Sequence, residues 1–220
     1  MVSGTYAAAL IGWREAVGDI YRTVRATHAR NPEAAWRRFR RERDELYARH
    51  PCSALDEEER RRVAGFRNFP YDPELCFVAQ IDYEVAEERR ATPISEGTLP
   101  YRRVGIVRFA YRGRPQALGL YWLDIYGGGL WLPVADATNG ETSYGGGRYL
   151  YDTAKGANLG LGADGRRLLL DFNFLYPPSC ALNARWVCPL SPPENRLPFR
   201  VEAGEMSPAV HAERVPLRAI

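Results

Sequence analysis

The spacing of the hydrophobic residues changes near residue 70, and this change constrains the fold more than any other feature of the sequence. Before it, apolar residues recur every three or four positions between Tyr6 and Val24, which is the spacing of one helix face. After it, apolar and polar residues alternate in short runs that are separated by glycine turns, a pattern typical of strands. The sequence therefore predicts helices first and a β-rich region second.

Two further helices are predicted before residue 70. Asn31 is suited to cap a helix N-terminus, Pro32 fits the first helical position, and Pro51 ends the pattern. A third, shorter helix is predicted over residues 55–66, where an acidic run at the start complements the helix dipole. The arginine-rich stretch 36–45 is interpreted as a solvated helix face, because acidic residues alternate with the arginines at helical spacing.

Several short strands are predicted after residue 70, at residues 75–83, 104–111, 116–125, 130–134, 148–152 and 166–173, with a further segment before Pro100. No helical pattern separates these strands, so a parallel sheet is not expected. The predicted fold class is α+β, with N-terminal helices followed by an antiparallel β-barrel or sandwich. A split barrel is among the barrel forms that this pattern allows. The predicted organisation is a helical region at 1–70, a β-rich core domain at 71–205 and a C-terminal tail at 206–220.

Composition and charge exclude several classes of function. The chain has 30 basic and 27 acidic residues, and a net charge of +3 is too small and too evenly mixed to predict a nucleic-acid or membrane partner. The sequence contains no apolar run of about 18 residues, and its N-terminus lacks the layout of a secretory signal. A cytoplasmic protein is expected, and its oligomeric state is left open.

Two stretches of unusual composition are candidates for a site. Residues 138–149 contain four glycines together with hydroxyl groups, a carboxylate, a guanidinium and two tyrosines. Residues 174–197 carry five prolines without a helix or strand period, and a loop of that length in a compact domain is commonly functional or disordered. Its aromatic and aliphatic content favours an ordered, packed loop.

A set of motifs resembles an uncharacterised bacterial and archaeal family that is known only as a domain of unknown function. The resemblance spans about residues 36–205 and is carried mainly by Asp136-Ala137-Thr138-Asn139-Gly140, Tyr144-Gly145-Gly146-Gly147-Arg148-Tyr149-Leu150, Leu170-Asp171-Phe172-Asn173, Cys188-Pro189-Leu190 and Pro193-Glu194-Asn195-Arg196-Leu197. The family has a glutamate where this chain has Thr142, so Glu141 would have to supply that carboxylate here. The resemblance brings no activity with it, and the cofactor is unknown.

The expected function is the binding, with or without chemical conversion, of a small polar or anionic molecule in a pocket between the 138–149 turn and the 174–197 loop. Arg148 would pair with an anionic group, and Glu141 and Tyr144 would donate, accept or transfer protons. The residues expected to orient the molecule are Thr138, Asn139, Asp171, Asn173, Asn183, Glu194 and Asn195. Asp171 and Asn173 alternate with Leu170 and Phe172 on a predicted strand, so they are expected to share one face, which Asn183, Glu194 and Asn195 would reach from the long loop.

Three alternatives remain open from the sequence. The glycines at 145–147 could serve only to turn the chain, and the Asp and Asn side chains could tie down the long loop by bonding its backbone. The whole protein could instead be a non-catalytic interaction module that engages a protein partner. A large exposed apolar patch would favour that reading.

The cysteines are expected to be free thiols, because Cys180 and Cys188 lack the spacing of zinc ligands and no histidine is near them in the sequence. No metal site is predicted. A nucleophilic cysteine would require a base, and of His28, His50 and His211 only His50 is a plausible candidate.

Overall fold

The computed structural model describes residues 4–94 and 97–208 of the chain. Three α-helices come first in this part of the chain: α1 (Gly4–His28), α2 (Pro32–Arg49) and α3 (Glu57–Arg62). The predicted cap of α2 is confirmed, since the Ala34 amide donates to Asn31 Oδ1 at 2.9 Å. A reciprocal capping box between Asp56 and Glu59 starts α3, which ends at Arg62, earlier than the sequence pattern predicted.

Seven strands follow in the described residues, and all of their pairings are antiparallel. The sheet order is β6-β5-β4-β3-β1-β7, and β2 pairs with the first half of β3. The strands are β1 (Cys76–Asp82), β2 (Glu88–Ile94), β3 (Gly97–Tyr111), β4 (Arg114–Leu123), β5 (Leu130–Val134), β6 (Arg148–Asp152) and β7 (Arg167–Asp171). Strands β5 and β6 have the predicted bounds.

The end of β7 differs from its prediction. The strand stops at Asp171, and residues Phe172–Phe174 form a 3₁₀ turn in which the Asn173 amide donates to Asp171 Oδ1 at 3.0 Å. The prediction that Asp171 and Asn173 share one strand face is therefore wrong. A carboxylate that binds its own backbone two residues later favours a turn over a continued strand.

The sheet curls into a half-barrel, and together with the N-terminal helices it gives the predicted α+β arrangement. One hydrophobic core joins the two parts: Tyr21 of α1 packs on Phe39 of α2, and Phe39 packs on Phe174 beyond β7. None of the helices in residues 4–94 and 97–208 has an apolar stretch long enough to span a membrane. The end of the predicted tail, which includes His211, lies outside the described residues.

Much of the arginine-rich face of α2 is solvated. Exposed residues such as Arg37 form ion pairs with acidic residues four positions away. Arg43 is instead buried, binds the Glu205 carboxylate through two nitrogens and lies with its guanidinium over the Tyr47 and Tyr176 rings. The interpretation of the whole stretch as solvated is wrong at this residue, which attaches α2 to the segment 201–205, here called the C-terminal segment.

Candidate functional site

The 138–149 turn is held together by its own side chains. Thr138 Oγ1 lies 2.7 Å from Ser143 Oγ, and both residues are buried. Asn139 Nδ2 donates at 2.9 Å to Ser143 Oγ and at 2.9 Å to the Tyr144 carbonyl. Thr138 and Asn139 thus shape the turn from inside. Glu141 is exposed, and its carboxylate lies 2.7 Å from Arg200 Nη1.

Arg148 is fully buried at the start of β6, with its guanidinium directed into the protein. Its Nη2 donates to Asp136 Oδ2 at 2.9 Å and to the Val201 carbonyl at 2.9 Å. Its Nη1 donates to the carbonyls of Ala203 and Glu205. Burial lowers the pKa of Arg148, and the Asp136 carboxylate acts against that shift. The described contacts of its terminal nitrogens therefore attach the C-terminal segment to the sheet.

Two glycines of the turn differ in what surrounds them. Gly140 and Gly147 both have a left-handed backbone, with φ of 86° and 88°. A Cβ added to Gly140 would meet nothing within 4 Å, whereas one added to Gly147 would lie 2.2 Å from Ser191 Oγ and 2.9 Å from the Val134 carbonyl. Gly147 is thus required by close packing between the turn, β5 and the 174–197 loop, as well as by its backbone angle.

The two glycines provide a matched test of that packing. Gly140→Ala is expected to lower the free energy of unfolding by about 1 kcal/mol, the strain of a left-handed alanine. Gly147→Ala carries the same strain and a backbone clash, so we expect a loss of about 3 kcal/mol. Urea unfolding of both variants measures the difference. Equal losses would show that the close contact at Gly147 relaxes without consequence.

The 174–197 loop is tied to the sheet by Asn195, which is fully buried. Its Oδ1 accepts from the Gly119 amide at 2.7 Å, and its Nδ2 donates to the carbonyls of Gly119 at 2.9 Å and Pro133 at 2.7 Å. The neighbouring Glu194 accepts from the Tyr121 hydroxyl at 2.6 Å and pairs with Arg90 at 2.8 Å. Asn195 therefore bonds to β4 and β5, and Glu194 contacts β4 and β2.

The remaining predicted orienting residues lie apart from these two. Asn173 bridges to the segment before β1, because its Oδ1 accepts from the Asp72 amide and its Nδ2 donates to the Asp72 carbonyl, each at 2.8 Å. Asn183 accepts from the Arg185 amide at 3.0 Å, within its own loop. The predicted convergence of Asp171, Asn183 and Asn195 on one face is therefore not found. The hydrogen bonds of Asn173, Asn183 and Asn195 to backbone amides and carbonyls fit the alternative that such side chains tie down the loop.

The turn and the loop meet at a pair of thiols. The half-buried Tyr144 places its hydroxyl 3.5 Å from Cys180 Sγ, and the Cys180 amide donates to Cys188 Sγ at 3.3 Å. The Ser191 amide also donates to the Gly146 carbonyl at 3.3 Å. All four cysteines of the chain are free in the structure. We call the group Tyr144, Cys180 and Cys188 the thiol cluster, and the charge of Lys155 acts on Cys188 from outside it.

The thiol cluster has unusual acid–base properties. A hydrogen bond from the Cys180 thiol, assisted by the positive charge of Lys155, lowers the pKa of Cys188 to about 7 against the opposing effect of burial. The same hydrogen bond and burial raise the pKa of Cys180, and burial raises that of Tyr144. Cys188 is therefore the most easily ionised group of the cluster, and it lies beside two groups that hold their protons more strongly than usual.

Polar groups near the cluster lack partners within the described part of the chain. Ser191 Oγ and Asp152 Oδ1 are buried and form no hydrogen bond with any described residue. Asp152 Oδ2 pairs with Lys155 Nζ at 3.3 Å, and Lys155 itself is largely exposed. A buried polar atom without a partner is unfavourable, so these atoms are available to a water molecule or a ligand.

His50, the candidate base for a nucleophilic cysteine, contacts Cys52 and Trp13. His50 caps the end of α2, where its Nδ1 accepts from the Cys52 amide at 3.1 Å and its ring packs on Trp13. Cys188 lies instead beside Cys180, eight residues earlier, whose amide donates to its Sγ. Two cysteines in one ordered loop were the available sequence signal, but their contact depends on how that loop folds.

A surface groove of about 510 Å³ lies away from these residues, between α1 and α2. Charged side chains of both signs line it, among them Asp19, Arg22, Arg38, Glu42 and Arg49. None of the residues predicted to bind a ligand is part of its lining.

Comparison with known proteins identifies relatives of unknown activity. A family model described as "Protein of unknown function (DUF1684)" matches residues 61–206. The fold is similar to the solution NMR structure of an uncharacterised protein from Haloarcula marismortui, with a TM-score of 0.58 and 28% sequence identity over 81% of this chain and 95% of that chain. No curated protein matches the chain.

Proposed function

This chain belongs to the DUF1684 family of proteins of unknown function, and because membership brings no activity with it, we propose a function from the geometry of the site. The proposed function is binding of a small polar or anionic molecule at the contact between the 138–149 turn and the 174–197 loop, with Cys188 as the reactive group. The observation that carries it is the contact of Tyr144, Cys180 and Cys188.

The cluster combines the groups that a reaction with a cysteine nucleophile needs. Cys188 is the nucleophile of this proposal, because its lowered pKa increases the fraction of thiolate at neutral pH above that of an ordinary cysteine. The Cys180 thiol and the Tyr144 hydroxyl keep their protons and donate hydrogen bonds to a negatively charged oxygen or leaving group. Lys155 adds a positive charge that attracts anions.

The predicted catalytic residues contribute unequally to this proposal. Tyr144 is part of the cluster, whereas Glu141 faces Arg200 and the terminal nitrogens of Arg148 are bonded to the protein itself. We therefore assign the reaction to Tyr144 and the thiols, and the framework of the site to Arg148 and Asn195.

Thiol reactivity provides the first test. The rate of Cys188 alkylation by iodoacetamide is expected to rise with pH around a midpoint near 7. Cys180→Ala removes the hydrogen-bond donor and should move the midpoint toward the ordinary cysteine value of about 8.5. Lys155→Gln should move it in the same direction by a smaller amount. Mass spectrometry of the modified peptides measures each rate.

Cys52 serves as the internal control, because it is buried and burial raises its pKa, so its alkylation should be slow at neutral pH. After denaturation without reductant, all four cysteines should be alkylated. A Cys188 midpoint near 8.5 in the wild type, or a pair that reacts only after reduction, would contradict the proposed thiolate.

Ligand binding is tested separately with a panel of inorganic phosphate, dicarboxylates and nucleoside monophosphates. A molecule that binds the cluster should raise the Tm and slow Cys188 alkylation, and both effects should weaken in Tyr144→Phe and Cys188→Ser. Glu141→Gln is the control, because its carboxylate lies against Arg200. Equal Tm shifts in all variants, with no protection of Cys188, would place the binding site elsewhere.

One observation supports the alternative function, a module that engages a protein partner. Val187 and Leu190, on either side of Cys188, are 49% and 53% exposed. Under this alternative a partner covers the loop and its thiols together. Val187→Ser with Leu190→Ser would then abolish the partner's protection of Cys188, while the alkylation rate of the free protein would stay unchanged.

A further inference from the structure

Three residues that are distant in the sequence meet where α1 packs on one edge of the sheet. His28 is the last residue of α1, Cys76 is the first of β1 and Asp171 is the last of β7. Cys76 and Asp171 are register partners in the pairing of β1 with β7. One donor atom from each of the three residues lies within 4.8 Å of the other two, and His28 Nε2 is 2.8 Å from Asp171 Oδ2.

The donor set is a nitrogen, a sulfur and a carboxylate oxygen, a combination that zinc accepts. In a tetrahedral zinc site the ligand atoms lie about 3.3 to 3.6 Å apart, given the usual zinc–ligand bond lengths. The separation of 2.8 Å between His28 Nε2 and Asp171 Oδ2 is shorter than this range, and no two of the three donor atoms are more than 4.8 Å apart, so an ion would require side-chain shifts. Three protein ligands leave a fourth position for water or another molecule.

The surroundings of Asp171 orient its carboxylate toward the other two ligands. Asp171 Oδ1 accepts from the Asn173 amide at 3.0 Å and from Asn173 Nδ2 at 2.8 Å. This arrangement leaves Oδ2 directed at His28. Hydrogen bonds that fix one carboxylate oxygen are the outer contacts that metal ligands commonly have.

The three ligands differ in burial. His28 and Asp171 are buried, while Cys76 is half-buried. A cysteine binds zinc as a thiolate, so binding of the ion would release the Cys76 proton.

We propose that His28, Cys76 and Asp171 form a binding site for a divalent transition-metal ion, and that Zn²⁺ is the best match to their donor atoms. The site is separate from the thiol cluster. In the absence of the ion, the hydrogen bond between His28 and Asp171 holds α1 against the end of β7.

The test uses the full chain with Cys180→Ser and Cys188→Ser, so that the thiol cluster cannot bind the metal. Stripped of metal and titrated with Zn²⁺, this background protein should bind the ion stoichiometrically and show a higher Tm. With Co²⁺ it should give a thiolate-to-cobalt charge-transfer band. Adding Cys76→Ser should remove that band and weaken Zn²⁺ binding at least about tenfold, while serine keeps a hydrogen-bond donor for Asp171.

Two further variants separate this proposal from a purely structural contact. Cys52→Ser is the matched control and should leave both readouts unchanged, because Cys52 lies beside His50 and Tyr6, outside the cluster. His28→Gln should weaken Zn²⁺ binding but keep the cobalt–thiolate band at higher Co²⁺ concentration. An unchanged band and affinity in Cys76→Ser, or no stoichiometric binding in the background protein, would overturn the proposal.

Discussion

Arg148→Lys is expected to lower the free energy of unfolding by about 3 kcal/mol or more, the loss typical of a broken buried ion pair. The guanidinium of Arg148 binds Asp136 and three backbone carbonyls in a fully buried position. A lysine keeps the charge but has a single nitrogen, which cannot replace the two terminal nitrogens of the fork. Asp136 or the carbonyls of the C-terminal segment would then lose their partners.

Arg200→Lys is the matched control for this prediction. Arg200 also pairs with a carboxylate, that of Glu141, but it is 41% exposed, so the change should alter stability by less than about 0.5 kcal/mol. Urea unfolding of both variants gives the comparison. A loss at Arg148 no larger than that at Arg200 would show that the buried pair contributes little.

Asn195→Asp is expected to lower the free energy of unfolding by about 3 to 5 kcal/mol at neutral pH. The asparagine amide donates to the carbonyls of Gly119 and Pro133, and an aspartate would place a buried negative charge against both of them. Because burial would raise the folded-state pKa of the new carboxyl above its unfolded value, the penalty is present when the group is ionised. The difference from wild type should therefore shrink as the pH falls through that raised pKa.

Asn183→Asp tests whether the effect comes from the lost donors. Among the residues that the structure describes, Asn183 bonds through its side-chain oxygen, which accepts from the Arg185 amide, and an aspartate can accept the same bond. Its stability should therefore change by less than about 0.5 kcal/mol. Similar losses at Asn183 and Asn195 would mean that the added charge, and not the bonds of Asn195 to β4 and β5, causes the effect.

The local features of the fold could be predicted from the sequence because they depend on neighbouring residues. The cap formed by Asn31, the helix start at Pro32 and the bounds of β5 and β6 follow from backbone chemistry and hydrophobic spacing over a few positions. The order of helices before an antiparallel sheet follows from the change in that spacing. The curl of the sheet into a half-barrel depends on its long-range pairings, so the sequence left barrel and sandwich open.

The roles of individual side chains were decided by the tertiary structure. The sequence singled out residues 138–149 and 174–197, but it could not show that Arg148 turns inward or that Tyr144 meets Cys180. The partners of Arg43 and His28 are 162 and 143 positions away in the chain. Such contacts form only when distant segments pack together, and burial then determines whether an arginine supports the framework and whether a cysteine is ionised.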